Sequence, residues 1–166
     1  VLDPTSGAVL AMVGSAGPGV PGAEINMATA LRQPGSALKP FLYSLALEHG
    51  YTLASQLLDV PATFDTPAGP YTPQNYDRRS NGPVSLRVAL ASSLNVPAVR
   101  TLDDLGVDAF LEILHRFGLT TLNNAEAYGL SLVLGAGEVR LIDMAAAYGA
   151  LADQGQLRQP FAVTRV

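Results

Sequence analysis

Apolar positions recur at helical spacing from Leu38 onward, with Leu38, Phe41, Leu42, Leu45 and Leu47 forming a broad stripe that Gly50 ends. Pro40 fits a helix only in its first turn. The helix therefore starts near Ser36, with Lys39 three residues on and on the same face. Ser85 to Ser92 reads as a second helix, capped by Ser85, with Leu86, Ala89 and Leu90 on one face. Ser93-Leu94-Asn95 interrupts it, and Pro97 starts a helix that stops at Gly106. Asp108 caps a further helix through Phe117, with Phe110, Leu111, Leu114 and Phe117 inward and Gly118 at its end. Leu130 to Gly137 is an apolar stretch. Glu138 to Asp153 reads as the last helix, packed through Leu141, Met144, Ala145 and Tyr148.

Strand patterns lie at the two ends. Val1 to Pro4 and Ala8 to Val13 flank a Thr5-Ser6-Gly7 turn and read as an antiparallel hairpin, and Phe161 to Val166 starts a strand. Glu24 to Leu31 reads as a short turn of helix. Tyr51 to Pro83 has little periodicity and is rich in Pro, Gly, Asp and Asn, so it reads as a long irregular segment wrapped near a site. Within it, PYTPQNYDRRSNGP carries aromatic and amide side chains. Tyr71, Asn75 and Tyr76 are candidates for binding an extended ligand; the competing reading packs the tyrosines on the core. The order predicts an α+β fold with helices packed on an antiparallel sheet. Both ends fall inside predicted strands, which reads as a piece of something longer.

Composition narrows the chemistry. Apolar residues make up 48% of the 166 positions and charged ones 14%, which suits one globular domain with a substantial core. A net charge of −4 gives no basic field for nucleic acid. Cysteine is absent, which excludes disulfides and thiolate metal sites, and His49 and His115 have no clustered partners, so neither a metal nor a cofactor is expected. The glycines of GSAGPGVPG lack the following lysine of a phosphate loop. No apolar run reaches the roughly 20 residues of a membrane span.

Of the ten basic residues nine are arginine; Lys39 is the sole lysine. Arginine stays protonated, whereas a desolvated lysine can lose its proton and act as a base. A serine hydroxyl one helical turn away needs such a base to become a nucleophile. A helix N-terminus at Ser36 would place amides and the positive dipole end beside a developing oxyanion. Ser93, in a break between two helices, is a candidate proton relay, and Asn95 a candidate holder of the lysine and of a substrate amide. Together these residues describe acyl transfer through a serine ester.

The stretches RQPGSALKPF and ASSLNVPAV resemble the SxxK and SxN motifs of the penicillin-binding transpeptidases. LDPTSGAVLAMVG, YTPQNYD and YGLSLVLGAGEVRLIDMAAAYGALADQG are similar to their flanks. The resemblance covers essentially residues 1–166 and is greatest to the transpeptidase domain of class A, bifunctional members, especially the 1C type. It implies that Ser36 is the acylated nucleophile, Lys39 its base, Ser93 the relay to the leaving amine and Asn95 the orienting group. It implies D-Ala-D-Ala ends of peptidoglycan stem peptides as substrate, β-lactams as trapping mimics, no cofactor, and an extracytoplasmic location. Membrane attachment would come through segments upstream of Val1. One departure stands out: the family's third motif, KTG on a sheet strand, is absent, since no lysine follows Lys39. The resemblance therefore implies an N-terminal part of the domain, with an incomplete sheet and defective alone. A serine β-lactamase would need a Glu-x-x-x-Asn arrangement, which is not visible around Glu112, Glu126 or Glu138. A D,D-carboxypeptidase or a non-catalytic β-lactam-sensing domain remain as alternatives.

Overall fold

The computed structural model describes residues 1–163. In chain order its elements are β1 (Leu31–Arg32), a 3-10 turn (Gly35–Leu38), α1 (Lys39–Glu48), β2 (Gln56–Asp59), β3 (Phe64–Thr66) and β4 (Gly69–Tyr71). There follow β5 (Gly82–Ser85), α2 (Leu86–Ala91), α3 (Asn95–Leu105), α4 (Val107–Arg116) and α5 (Ala125–Tyr128). A second 3-10 turn (Gly129–Leu134), β6 (Val139–Arg140) and α6 (Leu141–Ala152) complete the series. The chain divides into two compact units, one of residues 34–113 and 124–136, the other of 1–33, 114–123 and 137 onward.

The first of these is built on α1. Leu38, Phe41, Leu42 and Leu45 are buried as the stripe requires, and Tyr43 and Ala46 join them. Each such side chain contributes roughly 1.5–3 kcal/mol by leaving water. Leu47 is the exception and stands 44% exposed. It lies roughly 200° round the helix from Leu45, off the buried arc. Pro40 sits in the first turn, where its missing amide costs nothing. The core continues through Leu86 and Ala89 of α2, and Val96, Ala98, Val99 and Leu102 of α3. Ser85 caps α2, its hydroxyl accepting from the Val88 amide. α3 starts at Asn95, so Pro97 lies within its first turn instead of opening it.

The segment from Tyr51 to Pro83, expected to be irregular, carries three short strands and leads into a fourth. β2 pairs antiparallel with β5, Leu57 opposite Val84 and Asp59 opposite Gly82, and β3 pairs with β4, Phe64 opposite Tyr71. Along β2 the inward positions are Leu57 and Asp59 and the outward ones Gln56 and Leu58. An acid facing in and a leucine facing out erase the alternation that marks a half-buried strand.

The second unit has β1 paired antiparallel with β6. The expected hairpin at the N-terminus is reduced to one bridge, Leu2 with Val9, while Ala8 bridges Phe161 in parallel. Pro4 has no amide to donate, and Asp3 takes the turn's donors from Thr5 and Ser6. Between Glu24 and Leu31 the chain closes one turn, the Ala30 amide donating to the Asn26 carbonyl, and forms no helix. α6 packs on Met144, Ala146, Ala147 and Ala150, whereas Leu141 and Tyr148, expected inward, are 61% and 40% exposed. Phe161 makes its single bridge; the end of the strand expected to Val166 lies outside the described residues. The fold class is α+β, with helices and small two-stranded antiparallel sheets.

Candidate active site

Ser36 lies in the 3-10 turn that leads into α1, with Lys39 as the first α-helical residue. The Lys39 amide donates to the Ser36 carbonyl, an i to i+3 closure. The two residues are thus one turn apart, the serine exposed and the lysine buried. This differs from the simple α-helical start read from the sequence. Pro40 cannot donate and the turn tightens before the helix opens out. Gly135, at φ +96°, presses on the same turn: a Cβ there would overlap the Gly35 backbone. Ser36 itself is exposed.

Lys39 is 1% exposed. Its Nζ donates three hydrogen bonds: to the Ser93 carbonyl at 2.6 Å, the Ser93 hydroxyl at 3.1 Å and Asn95 Oδ1 at 2.6 Å. None goes to Ser36. Burial pushes the ammonium down to about 8, because desolvation disfavours the charged form. Each neighbour that Nζ reaches by hydrogen bond is neutral, so no opposite charge among them offsets that loss of solvation.

Ser93 reaches the lysine through an unusual backbone. Its φ is +51°, the left-handed region that a residue with a Cβ enters at a cost of roughly 1 kcal/mol. That turn directs both its carbonyl and its hydroxyl at Nζ. Asn95 follows at the start of α3; its Oδ1 holds the lysine while its Nδ2 donates to the Gln74 carbonyl at 2.8 Å. The spacing signals thus converge: Lys39, Ser93 and Asn95 are brought together across more than fifty residues of chain.

Of the three candidates for ligand binding, Asn75 and Tyr76 border one cleft and Tyr71 lines another. Tyr76 is fully exposed and lines a cleft of about 440 Å³ that also touches Ser93, Leu94, Asn81 and Val88. It does not pack on the core. Tyr71, half-buried on β4, lines another cavity, of about 330 Å³, with Glu126, Tyr128 and Ser131. Asn75 borders the Tyr76 cleft but is 6% exposed, and both ends of its amide bond inside the protein. An amide so occupied has no free donor or acceptor for a ligand, so its direct contact with substrate is not met. The buried carboxylate that Asn75 meets, Asp59, is a residue that the sequence reading passed over.

Residues 1–166 match the family model described as penicillin binding protein transpeptidase domain. Penicillin-binding protein 1C of Escherichia coli (strain K12) is 44% identical over 134 residues, 80% of this chain and 17% of the relative. Penicillin-binding protein 1A of the same organism is 39% identical over 168 residues, 99% of this chain and 19% of the relative. The crystal structure of penicillin-binding protein 1A from Haemophilus influenzae superposes with a TM-score of 0.75 at 38% identity, covering 84% of this chain and 21% of that one. PonA1 of Mycobacterium tuberculosis, solved in complex with penicillin V, gives 0.81 at 29% identity, covering 96% and 44%. The chain belongs to the penicillin-binding protein transpeptidase family. It spans about a fifth of the length of the curated relatives it matches.

Proposed function

We propose that the protein is a peptidoglycan D,D-transpeptidase that works through a serine acyl-enzyme and is a target of β-lactams. One observation carries the reading: a buried lysine, one turn from an exposed serine, held by a second serine and an asparagine. Neutral Lys39 takes the proton from Ser36 Oγ as the oxygen attacks the penultimate D-Ala carbonyl. The tetrahedral intermediate collapses with cleavage of the C–N bond. The proton passes from Nζ through the Ser93 hydroxyl to the departing D-Ala amine. An amine of a neighbouring stem then attacks the Ser36 ester, giving up its proton along the same route reversed, and a cross-link forms as the serine is released. A β-lactam follows the first half; its leaving nitrogen stays tethered and the ester persists.

Asn95 in this scheme holds the amine with its oxygen. Tyr76, exposed on the cleft that Ser93 also lines, would contact an extended peptide. Tyr71 would touch only a ligand that reaches the separate cavity beside Tyr128. The substrate sits outside the cytoplasm in this reading. Among the described residues no helix is long and apolar enough to cross a membrane, so attachment would lie elsewhere in the intact protein. Residues 1–166 would form the N-terminal part of the transpeptidase domain, and a KTG strand would be contributed from beyond them.

The test is labelling of the intact protein with a fluorescent penicillin, followed by peptide mass spectrometry. A stoichiometric adduct on Ser36, abolished by Ser36→Ala, is expected. An adduct on another residue, or labelling that survives Ser36→Ala, refutes the reading.

A further inference from the structure

α3 begins at Asn95 with no cap of its own. Leu94 holds the N-cap position and offers no side-chain acceptor, so the helix's first amides need a partner from elsewhere. Asn75 supplies it, twenty residues upstream. Its Oδ1 accepts from the Asn95 amide at 2.8 Å and from the Val96 amide at 3.4 Å. The other end of the same side chain donates to both oxygens of Asp59, at 2.8 and 2.9 Å, and to the Arg79 carbonyl at 2.8 Å. Asp59, wholly buried on β2, also accepts from the Asn81 amide at 2.9 Å and from Asn81 Nδ2 at 2.6 Å.

This arrangement has a single polarity. The Asp59 carboxylate and the Arg79 carbonyl only accept, so Nδ2 of Asn75 must face them and Oδ1 must face α3. A flipped amide would set oxygen against oxygen at one end and N–H against N–H at the other. The neighbouring carbonyl of Gln74 holds Asn95 Nδ2, so the 74–75 segment grips Asn95 by both backbone and side chain. Asn95 Oδ1 in turn holds Lys39 Nζ. If strand packing were the only requirement at position 59, an apolar side chain would meet it at lower cost than a buried acid, as Leu57 does two residues earlier.

We propose that Asp59 and Asn75 are positioning residues for acylation: they fix the amide of Asn95 against Lys39 and so hold the amine where it can accept the serine's proton. The proposal rests on the acyl-enzyme reading above.

Asp59→Asn in the intact protein tests it, because an amide NH2 then confronts the donors of Asn75 and Asn81 and Asn75 is free to turn. The rate of Ser36 acylation by a fluorescent penicillin is followed across pH, with a thermal melt alongside. A loosened Asn95 lets water reach Nζ, so the acid limb of the profile should move up by about one pH unit, with a roughly tenfold lower rate at neutral pH. A purely structural role lowers the melting temperature and leaves the limb and the rate per folded molecule in place; that result overturns the proposal. If Asp59→Asn does not fold, Asn81→Ala serves. It removes one donor to Asp59, keeps the backbone one, and should shift the limb in the same direction by less; an unmoved limb again overturns it. Failure of wild type to acylate at Ser36 would refute the functional reading instead. Failure of this inference alone looks different, with wild type and variants acylating alike.

Discussion

Lys39 is the residue on which the proposed chemistry turns, and its environment makes a prediction about stability as well as rate. Its folded-state pKa of about 8 lies below the ordinary lysine value of 10.5. Between those values the unfolded chain binds more protons than the folded one, so stability rises with pH across that window. Below about 8 the full cost of burying a charge is present. Urea melts of wild type and Lys39→Met between those limits should show this extra slope only in wild type. Equal slopes would mean that the amine titrates as though in water. Lys39→Arg keeps a cation but cannot accept a proton, and acylation should fall by at least about a hundredfold. Ser93 separates geometry from chemistry. Ser93→Gly relieves the left-handed strain and keeps the carbonyl on Nζ, so the melting temperature should hold or rise while acylation falls. A variant as fast as wild type would remove the hydroxyl from the proton path. The four residues Ser36, Lys39, Ser93 and Asn95 were legible in the sequence because their signals are local: a serine and lysine one turn apart, a lone lysine, and a break between two helices. Asn75 and Asp59 were not. They meet only through a contact sixteen residues long, inside a stretch without periodicity, and an inward aspartate resembles a loop residue.

At the scale of elements, the 3-10 turn carrying Ser36 is held from behind by Gly135. A methyl at 135 would overlap the Gly35 backbone, and the φ of +96° disfavours any side chain there. Gly135→Ala should therefore destabilise the protein by about 2 kcal/mol or more and slow acylation even in the folded fraction, read by melts and penicillin labelling. A melting temperature within a degree or so of wild type would mean that the turn has room to shift. The helices read well where one face is apolar and the other polar, as in α3 and α4. α6 did not: LIDMAAAYGALA is apolar nearly all round, so the pattern names no face, and small alanines took the inward positions that Leu141 and Tyr148 were expected to fill. The strands between Gln56 and Ser85 were missed for a related reason. They are three or four residues long, bounded by proline and glycine, and stabilised by pairing partners that no local window contains.

For the whole molecule, the candidate constellation lies within one compact unit, that of residues 34–113 and 124–136. Its contacts join α1, the Ser93 turn and the start of α3, which holds Lys39, Ser93 and Asn95 together on elements that also form the core. The α+β class was expected from helix blocks flanked by strand-forming ends; the class holds, but the paired strands lie among the helices, between residues 31 and 140, and the ends carry isolated bridges. The division into two units was not legible, since one of them is assembled from three separated segments and only long-range contact defines it. The central claim is that the amine at position 39 can be neutral near physiological pH. In the intact protein labelled with carbon-13 on lysine, the Lys39 side-chain resonance, assigned by its loss in Lys39→Met, gives that pKa directly. The account predicts an inflection near 8; titration at the ordinary lysine value of 10.5 would contradict it.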